Sequence, residues 1–232
     1  MRLSMLAVAA VSSAVLWMGC GDGGNPGGGG GGGSGGTLSC GNRECKSDVM
    51  LDGKTWMTEN LNKTTKDSWC YENSADSCAK YGRLYRWDAA KKACPTGWRL
   101  PALDEWERLL ESVGGTKPEI DGEYSYKWLD VGKKLKSSSG WNKYLGNDGN
   151  GTDDYGFSAL PGGAGGIVDG KNVFITAGVV GAWWTATDFD FDPDNTTAWT
   201  TSMGNYSNTV LVASGRKTGQ AESLMSVRCV KN

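Results

Sequence analysis

Seven cysteines and no histidine bound the chemistry open to this 232-residue chain. Histidine is the one side chain whose ordinary pKa lies near neutral pH. Its absence excludes imidazole metal sites and Ser-His or Cys-His catalysis. The cysteines are Cys20, Cys40, Cys45, Cys70, Cys78, Cys94 and Cys229. An odd count in an exported chain leaves one thiol spare. If Cys20 carries a thioether-linked lipid, the other six can all pair, in any of 15 connectivities. Proximity suggests Cys40–Cys45 and Cys70–Cys78, which leaves Cys94 for Cys229.

Two acidic segments offer oxygen ligands to a hard cation such as calcium. "DFDFDPDN" sets Asp188, Asp190, Asp192 and Asp194 at alternate positions, so an extended backbone would crowd all four carboxylates onto one face. "NDGNGTDDYG" supplies Asn147, Asp148, Asn150, Asp153 and Asp154. Neither has EF-hand spacing, and the competing expectation is a solvated acidic loop whose aspartates cap turns. Glu105 and Glu107 form a carboxylate pair of the kind glycoside hydrolysis needs. On a helix, however, they point about 200° apart and look exposed on either side of Trp106.

The chain has eleven tryptophans, one of them, Trp17, near the N-terminus. Aromatic faces give large contact areas against sugar rings or protein anchors. Trp56, Trp87, Trp98 and Trp106 read as core. Trp69, Trp128, Trp141 and Trp199 lie among polar loop residues and read as candidate ligand contacts. Trp183 and Trp184 are adjacent in a strand pattern, so one should face outward; Trp184 is the candidate. With a net charge of −2 the chain lacks the clustered excess of Lys and Arg that nucleic acid requires.

The elements that must position these groups are legible in outline. "VMLDGKTWMTENL" predicts a hairpin turning at Asp52-Gly53. A short helix is predicted over Arg86–Lys92, stopped by Pro95. The clearest helix carries Leu103, Trp106, Leu109, Leu110 and Val113 at helical spacing, between Pro101 and Gly114-Gly115. From Trp141 onward the pattern changes to short strands: "FSALPGG", "GAWWTATD", "TTAWTTSMG", "NTVLVA" and "SLMSVRCVKN". Helices early and strands late predict a compact, loop-rich α+β domain with two short helices and several short antiparallel strands.

The N-terminal segment reads as an export signal. Arg2 is the only charge before Cys20, and the apolar run Leu3–Met18 is too short for a bilayer span but suits a signal core. An ordinary signal peptidase could cut after Ala14. The alternative is lipidation of Cys20 in a lipobox-like context, which departs from the usual pattern at Trp17. Residues 1–19 would then be the signal peptide, and residues 20–36 a glycine-rich tether spanning about 20–24 Å as a random coil. Residues 37–232 form the head. The cysteines fit an oxidising compartment.

Several motifs carry a family resemblance: "WMTENLN" at 56–62, "KYGRLYRWDAAKKACPTGWRLPALDEWERL" at 80–109, "GNGTDDYGFSALPGG" at 149–163, "AWWTATD" at 182–188 and "SVRCVK" at 226–231. In this order they resemble the Fibrobacter succinogenes major paralogous domain, a bacterial module of exported and lipid-anchored proteins. The resemblance implies the disulfides Cys70–Cys78 and Cys94–Cys229 and supplies no activity. "GWRLPALDEWE" with a late "VRC" more loosely resembles the fold shared by formylglycine-generating enzymes and C-type lectins; catalysis of the first kind would need reactive cysteines, which a Cys94–Cys229 bridge removes. The expectation is an outer-membrane lipoprotein, held to the membrane by its anchor, presenting a non-catalytic head that binds polysaccharide or a surface protein. A calcium-stabilised envelope module is the alternative.

Overall fold

The computed structural model describes residues 45–116, 118–122, 124–219 and 221–232. The expected leader, Cys20, the tether and Cys40 lie outside them. In chain order the elements are β1 (Ser47–Val49), β2 (Thr55–Met57), β3 (Ser68–Trp69), α1 (Ala75–Tyr81), β4 (Leu84–Tyr85), α2 (Trp87–Ala93), β5 (Trp98–Arg99) and α3 (Leu103–Ser112). They continue with β6 (Glu119–Gly122), β7 (Ser125–Trp128), α4 (Gly132–Leu135), β8 (Ala164–Val168), β9 (Lys171–Ile175) and β10 (Val180–Asp188). The chain closes with β11 (Thr197–Gly204), β12 (Val210–Arg216), β13 (Ala221–Leu224) and β14 (Val230–Lys231). Among the described residues no helix is long and apolar enough to cross a membrane.

The β1–β2 hairpin turns where the sequence predicts. Gly53 takes φ +78°, and the Asp52 carboxylate accepts from the Lys54 N–H and from Trp56 Nε1, each at 3.0 Å. Helix α3 buries Trp106, Leu109 and Leu110 on one face and ends at Gly114 with φ +82°, the left-handed cap that glycine adopts without strain. Its start is held from two sides. Glu105 reaches back to the Ala102 N–H at 3.0 Å, and Thr187 Oγ1 of β10 accepts the Leu103 N–H at 2.9 Å. Helix α2 starts one residue later than the spacing predicts and stops before Cys94-Pro95.

The largest sheet is antiparallel, in the order β10-β11-β12-β7-β6. Trp183 and Trp184 sit on its edge strand, and both are fully buried. Side chains alternate across β10 as expected, but each face is covered by its own core. Trp183 packs with Trp56, Trp106 and Phe157, where the Trp56–Trp106 centroids are 5.1 Å apart and Trp106–Trp183 6.0 Å. Trp184 packs with Tyr85, Trp87, Ala198 and Cys229. Their indole N–H groups are satisfied inside, by Asn60 Oδ1 at 2.9 Å and the Tyr85 carbonyl at 2.8 Å.

The two ends of the described chain meet in the sheet β1-β2-β14-β5, where Val230 pairs with both Trp56 and Arg99. The Cys94–Cys229 disulfide locks this closure across 135 residues. Beside it Arg228 is wholly buried. Its guanidinium donates to Asn60 Oδ1 at 2.9 Å, the Met57 carbonyl at 3.1 Å, the Ser158 carbonyl at 2.6 Å and the Phe157 carbonyl. Asn60 is the second hub, donating to Tyr81 O at 2.8 Å.

Some elements differ from expectation. "FSALPGG" forms no strand; it contributes only isolated bridges, Ala159 to Lys136 and Gly163 to Gly181. The Arg228 contacts to the carbonyls of Phe157 and Ser158 occupy acceptors that a ladder would use. Helix α1, held between Cys70 and Cys78, and the hairpins β6–β7 and β8–β9 have no counterpart in the sequence reading. The result is a β-rich α+β domain with two complete disulfides among the described residues.

Candidate functional site

The five-stranded sheet is longer than the second core that covers one of its faces. Over Trp184, Thr200 and Gly215 that face is filled; Gly215 has no room for a Cβ between Thr200, Trp184 and Met225. Further along, the registered row Ser202–Leu211–Lys127 of β11, β12 and β7 is left open. There the surface forms a groove of about 310 Å³. Leu211 lies in its floor, Ser202 supplies a hydroxyl, and Lys127 pairs with Asp121 of β6 along its side.

The other wall is the β11–β12 connection, whose Tyr206, Ser207 and Thr209 line the groove. Local hydroxyls shape it: Ser207 Oγ lies 2.6 Å from Thr209 Oγ1 and accepts the Thr209 N–H at 3.0 Å. Asn205 ties it outward, donating from its backbone to Val179 O at 2.9 Å and from its amide to Asn142 O at 3.0 Å. Gly132 of α4 donates to Asn208 O at 2.8 Å. Beneath the wall, buried Lys136 reaches up and donates to the carbonyls of Gly204 and Ser207 at 3.0 and 3.1 Å. Burial pushes the Lys136 ammonium down to about 8, against the opposing pull of Asp148. The indole of Trp141 lies 5.2 Å from the same ammonium.

Two tyrosine rings crown this wall. Tyr206 is 57% exposed and Tyr144 45%, with centroids 5.9 Å apart, and exposed Leu145 follows Tyr144. An apolar ring edge over a row of hydroxyls and an ion pair gives the groove a stacking surface beside hydrogen-bonding groups. The wall is held by bonds that exist without a ligand, so little ordering is needed on binding.

The sequence-predicted contacts lie elsewhere. Trp128, Trp141, Trp184 and Trp199 are all buried, so none can meet a ligand from solvent. Trp128 faces Val210 across the ladder and fills the first core. Trp141 donates to Ser137 Oγ and Ala159 O, each at 3.1 Å, and Trp199 stacks edge-on against Phe189 at 4.7 Å. Trp184 and Trp199 sit inside β10 and β11 and Trp128 ends β7, each on a sheet face that a core covers, and only Trp141 follows a bend. Trp69 of β3 is half-buried and does not line the groove. Tyr206 and Tyr144 were not singled out by sequence; the usable signal was an aromatic inside the polar turn "GNYSNT" between two strand patterns.

The acidic segments do not converge either. "DFDFDPDN" leaves β10 after Asp188 and turns, which breaks the one-face alternation. Asp188 pairs with Lys217. Asp192 accepts from the Thr196 N–H at 2.6 Å and from the hydroxyls of Thr196 and Thr197 at 2.8 and 2.9 Å. The Thr196 hydroxyl and its neighbouring donors hold the Asp192 carboxyl at about 2. In the second loop Asp148 caps Asn150, Asn150 accepts the Trp141 N–H, and Asp153 caps Ser158; the Asn147 backbone exchanges bonds with Tyr144. Backbone and hydroxyl donors occupy oxygens of Asp148, Asp153 and Asp192, Lys217 occupies Asp188, and no metal-ligand cluster forms among the described residues.

Glu105 is buried rather than exposed. Burial alone would raise its pKa, but bonds from Arg99 at 2.5 and 2.7 Å, the Ala102 N–H and Lys54 at 3.0 Å reverse that and hold it at about 2. A carboxyl so clamped is no general acid at neutral pH. Glu107 accepts the Tyr126 hydroxyl at 2.6 Å. Cys45 is disulfide-bonded, and its expected partner Cys40 and the lipidation candidate Cys20 lie outside the described residues.

Comparison with known proteins gives a family match. The model of the Fibrobacter succinogenes major domain matches residues 45–231, most of the chain. No curated protein and no solved structure matches it.

Proposed function

This chain belongs to the Fibrobacter succinogenes major domain family, and from that premise we propose that it is a non-catalytic binding head that takes polysaccharide in the groove beside Tyr206. The observation that carries the reading is the groove itself, about 310 Å³, with hydroxyls and an ion pair along it and two solvent-exposed tyrosines above it. Catalysis is not favoured, since Cys94 and Cys229 are joined and Glu105 is clamped by two cations. The meeting of β2 and β14, near the two ends of the described residues, supports a relationship to the C-type-lectin-like and formylglycine-generating folds. Cys20 and the glycine run support an exported, lipid-anchored form in which the tether presents this head outside the cytosol, at the outer membrane.

Sedimentation with insoluble polysaccharides and a glycan array test the groove. Tyr206→Ala should lower capture about tenfold, and Ser202→Trp, which fills the groove, should abolish it. Capture unchanged in both variants would overturn the reading. Intact mass before and after reduction tests the anchor, through a diacylglycerol or triacyl addition on a chain that begins at Cys20.

A further inference from the structure

A second surface lies on the opposite face of the same sheet. A continuous strip of rings leads outward from the first core: Tyr126 meets Trp199 at 5.9 Å, Trp199 meets Phe189 at 4.7 Å, and Phe189 meets Phe191 and Tyr124 at 5.5 and 5.6 Å. The inner rings are buried or half-buried, but Phe191 is 65% exposed and Tyr124 45%. Ile120, opposite Tyr126 in the β6–β7 ladder and so on the same face, is 87% exposed. Single exposed apolar residues are ordinary; contiguous ones at the end of a packed ladder mark an interaction site.

The turn that carries Phe191 is built to keep it outside. Asp192 binds Thr196 and Thr197 and donates its N–H back to Phe189 O at 3.2 Å, so Asp190 and Phe191 between the two are held in solvent before any partner arrives. The charges among these rings are carboxylates. Asp190 stands between the phenylalanines, Asp194 follows on the same turn, and Glu107 meets the Tyr126 hydroxyl. Among the described residues Asp190 and Asp194 are exposed and join no ion pair, whereas Asp188 is already neutralised by Lys217. An apolar surface with an acidic border is complementary to a guanidinium, which stacks on aromatic faces and pairs with carboxylates.

We infer that the strip formed by Ile120, Tyr124 and Phe191, seated on buried Phe189 and bordered by Asp190 and Asp194, docks a protein segment presenting arginine beside an apolar side chain. The surface is separate from the groove, so one head engages a polysaccharide on one sheet face and a basic protein partner on the other.

Fluorescence anisotropy of the full-length chain with labelled Gly-Arg-Leu-Arg-Leu-Gly, and with Gly-Glu-Leu-Glu-Leu-Gly as its acidic counterpart, tests this. The basic peptide should bind, weaken in 0.5 M salt, and lose about tenfold in affinity with Phe191→Ser and with the pair Asp190→Asn and Asp194→Asn. Phe191 is outside the core, so its variant should keep the parent melting temperature and the parent polysaccharide capture, which separates failure here from failure of the groove. Equal binding of the acidic peptide, no binding at millimolar concentration, or affinity unchanged in both variants would overturn the inference. So would self-association that Phe191→Ser abolishes, because the strip would then be covered by a second copy.

Discussion

Replacing Arg228 with methionine removes the cation that joins three separate parts of the head while leaving every acceptor in place. Four oxygens lose a charged donor: Asn60 Oδ1 and the carbonyls of Met57, Phe157 and Ser158. Deleting bonds of this class costs about 1.5–3 kcal/mol each, or roughly 6–12 kcal/mol gross for four. Against that stands the relief of burying a charge. Burial lowers the Arg228 pKa to about 9, with Asp153 and Glu59 opposing from a distance, so desolvation is the dominant influence on the group. That relief is worth several kcal/mol. A buried ion pair can be swapped for apolar residues at little cost because both partners leave together. Here the partners are backbone carbonyls that cannot leave, so the loss wins, at about 3–5 kcal/mol. For a domain of this size that lowers the melting temperature by about 6–20 °C. Arg228→Lys keeps the charge with three donors in place of a planar fork, so it should fall between parent and methionine. Calorimetry of the oxidised proteins makes the comparison. A methionine variant melting within about 2 °C of the parent would refute the assignment of Arg228 as a structural hub.

The remaining predictions concern titration, cross-links and the groove wall. The Glu105 carboxyl is depressed from 4.5 to about 2, so its stabilisation is complete above pH 4.5 and is lost as pH falls toward 2; on the order of 3 kcal/mol is at stake. Glu105→Gln should lower stability at pH 7 and flatten the acid limb of urea-unfolding free energies. Removing Cys94–Cys229, which spans 135 residues, should cost about 5 kcal/mol in the chain-entropy model, against roughly 2.5 kcal/mol for Cys70–Cys78, which spans 8; paired alanine variants compared by guanidinium unfolding check the order. Lys136, lowered to about 8 by burial, has given up its proton in the folded state between pH 8 and 10.5 while the unfolded chain still holds one, so stability should rise with pH there. Lys136→Met should remove that rise and, by freeing the Gly204 and Ser207 carbonyls, weaken polysaccharide capture. Calcium and EDTA should each leave the melting temperature unchanged, because Asp192 and Asp153 are already occupied by the donors they cap.

Local chemistry by itself determined the hairpin at Asp52-Gly53, the apolar face and glycine stop of α3, and the early-helix, late-strand order. Each depends on residues within a turn or two of one another. The residue-type inventory likewise excluded imidazole chemistry, and the ordered motifs identified the family. The candidate site was beyond that reach. Adjacent Trp183 and Trp184 alternate as any strand must, yet whether the second face is wet depends on which element docks on it, and here a second core does. Trp128, Trp141 and Trp199 stand in polar sequence but point inward, because the first core packs over the side of the chain they occupy. The groove is assembled from β6, β7, β11, β12 and a connection braced by Lys136 from below, residues up to about 90 positions apart with no shared local pattern. Aspartates at alternate positions hinted at a cation site; a local turn gives the Asp192 oxygens to Thr196 and Thr197, and the tertiary fold brings Lys217 to Asp188. Backbone conformation follows from neighbours in sequence; exposure and the partner of each polar atom follow from what packs against them.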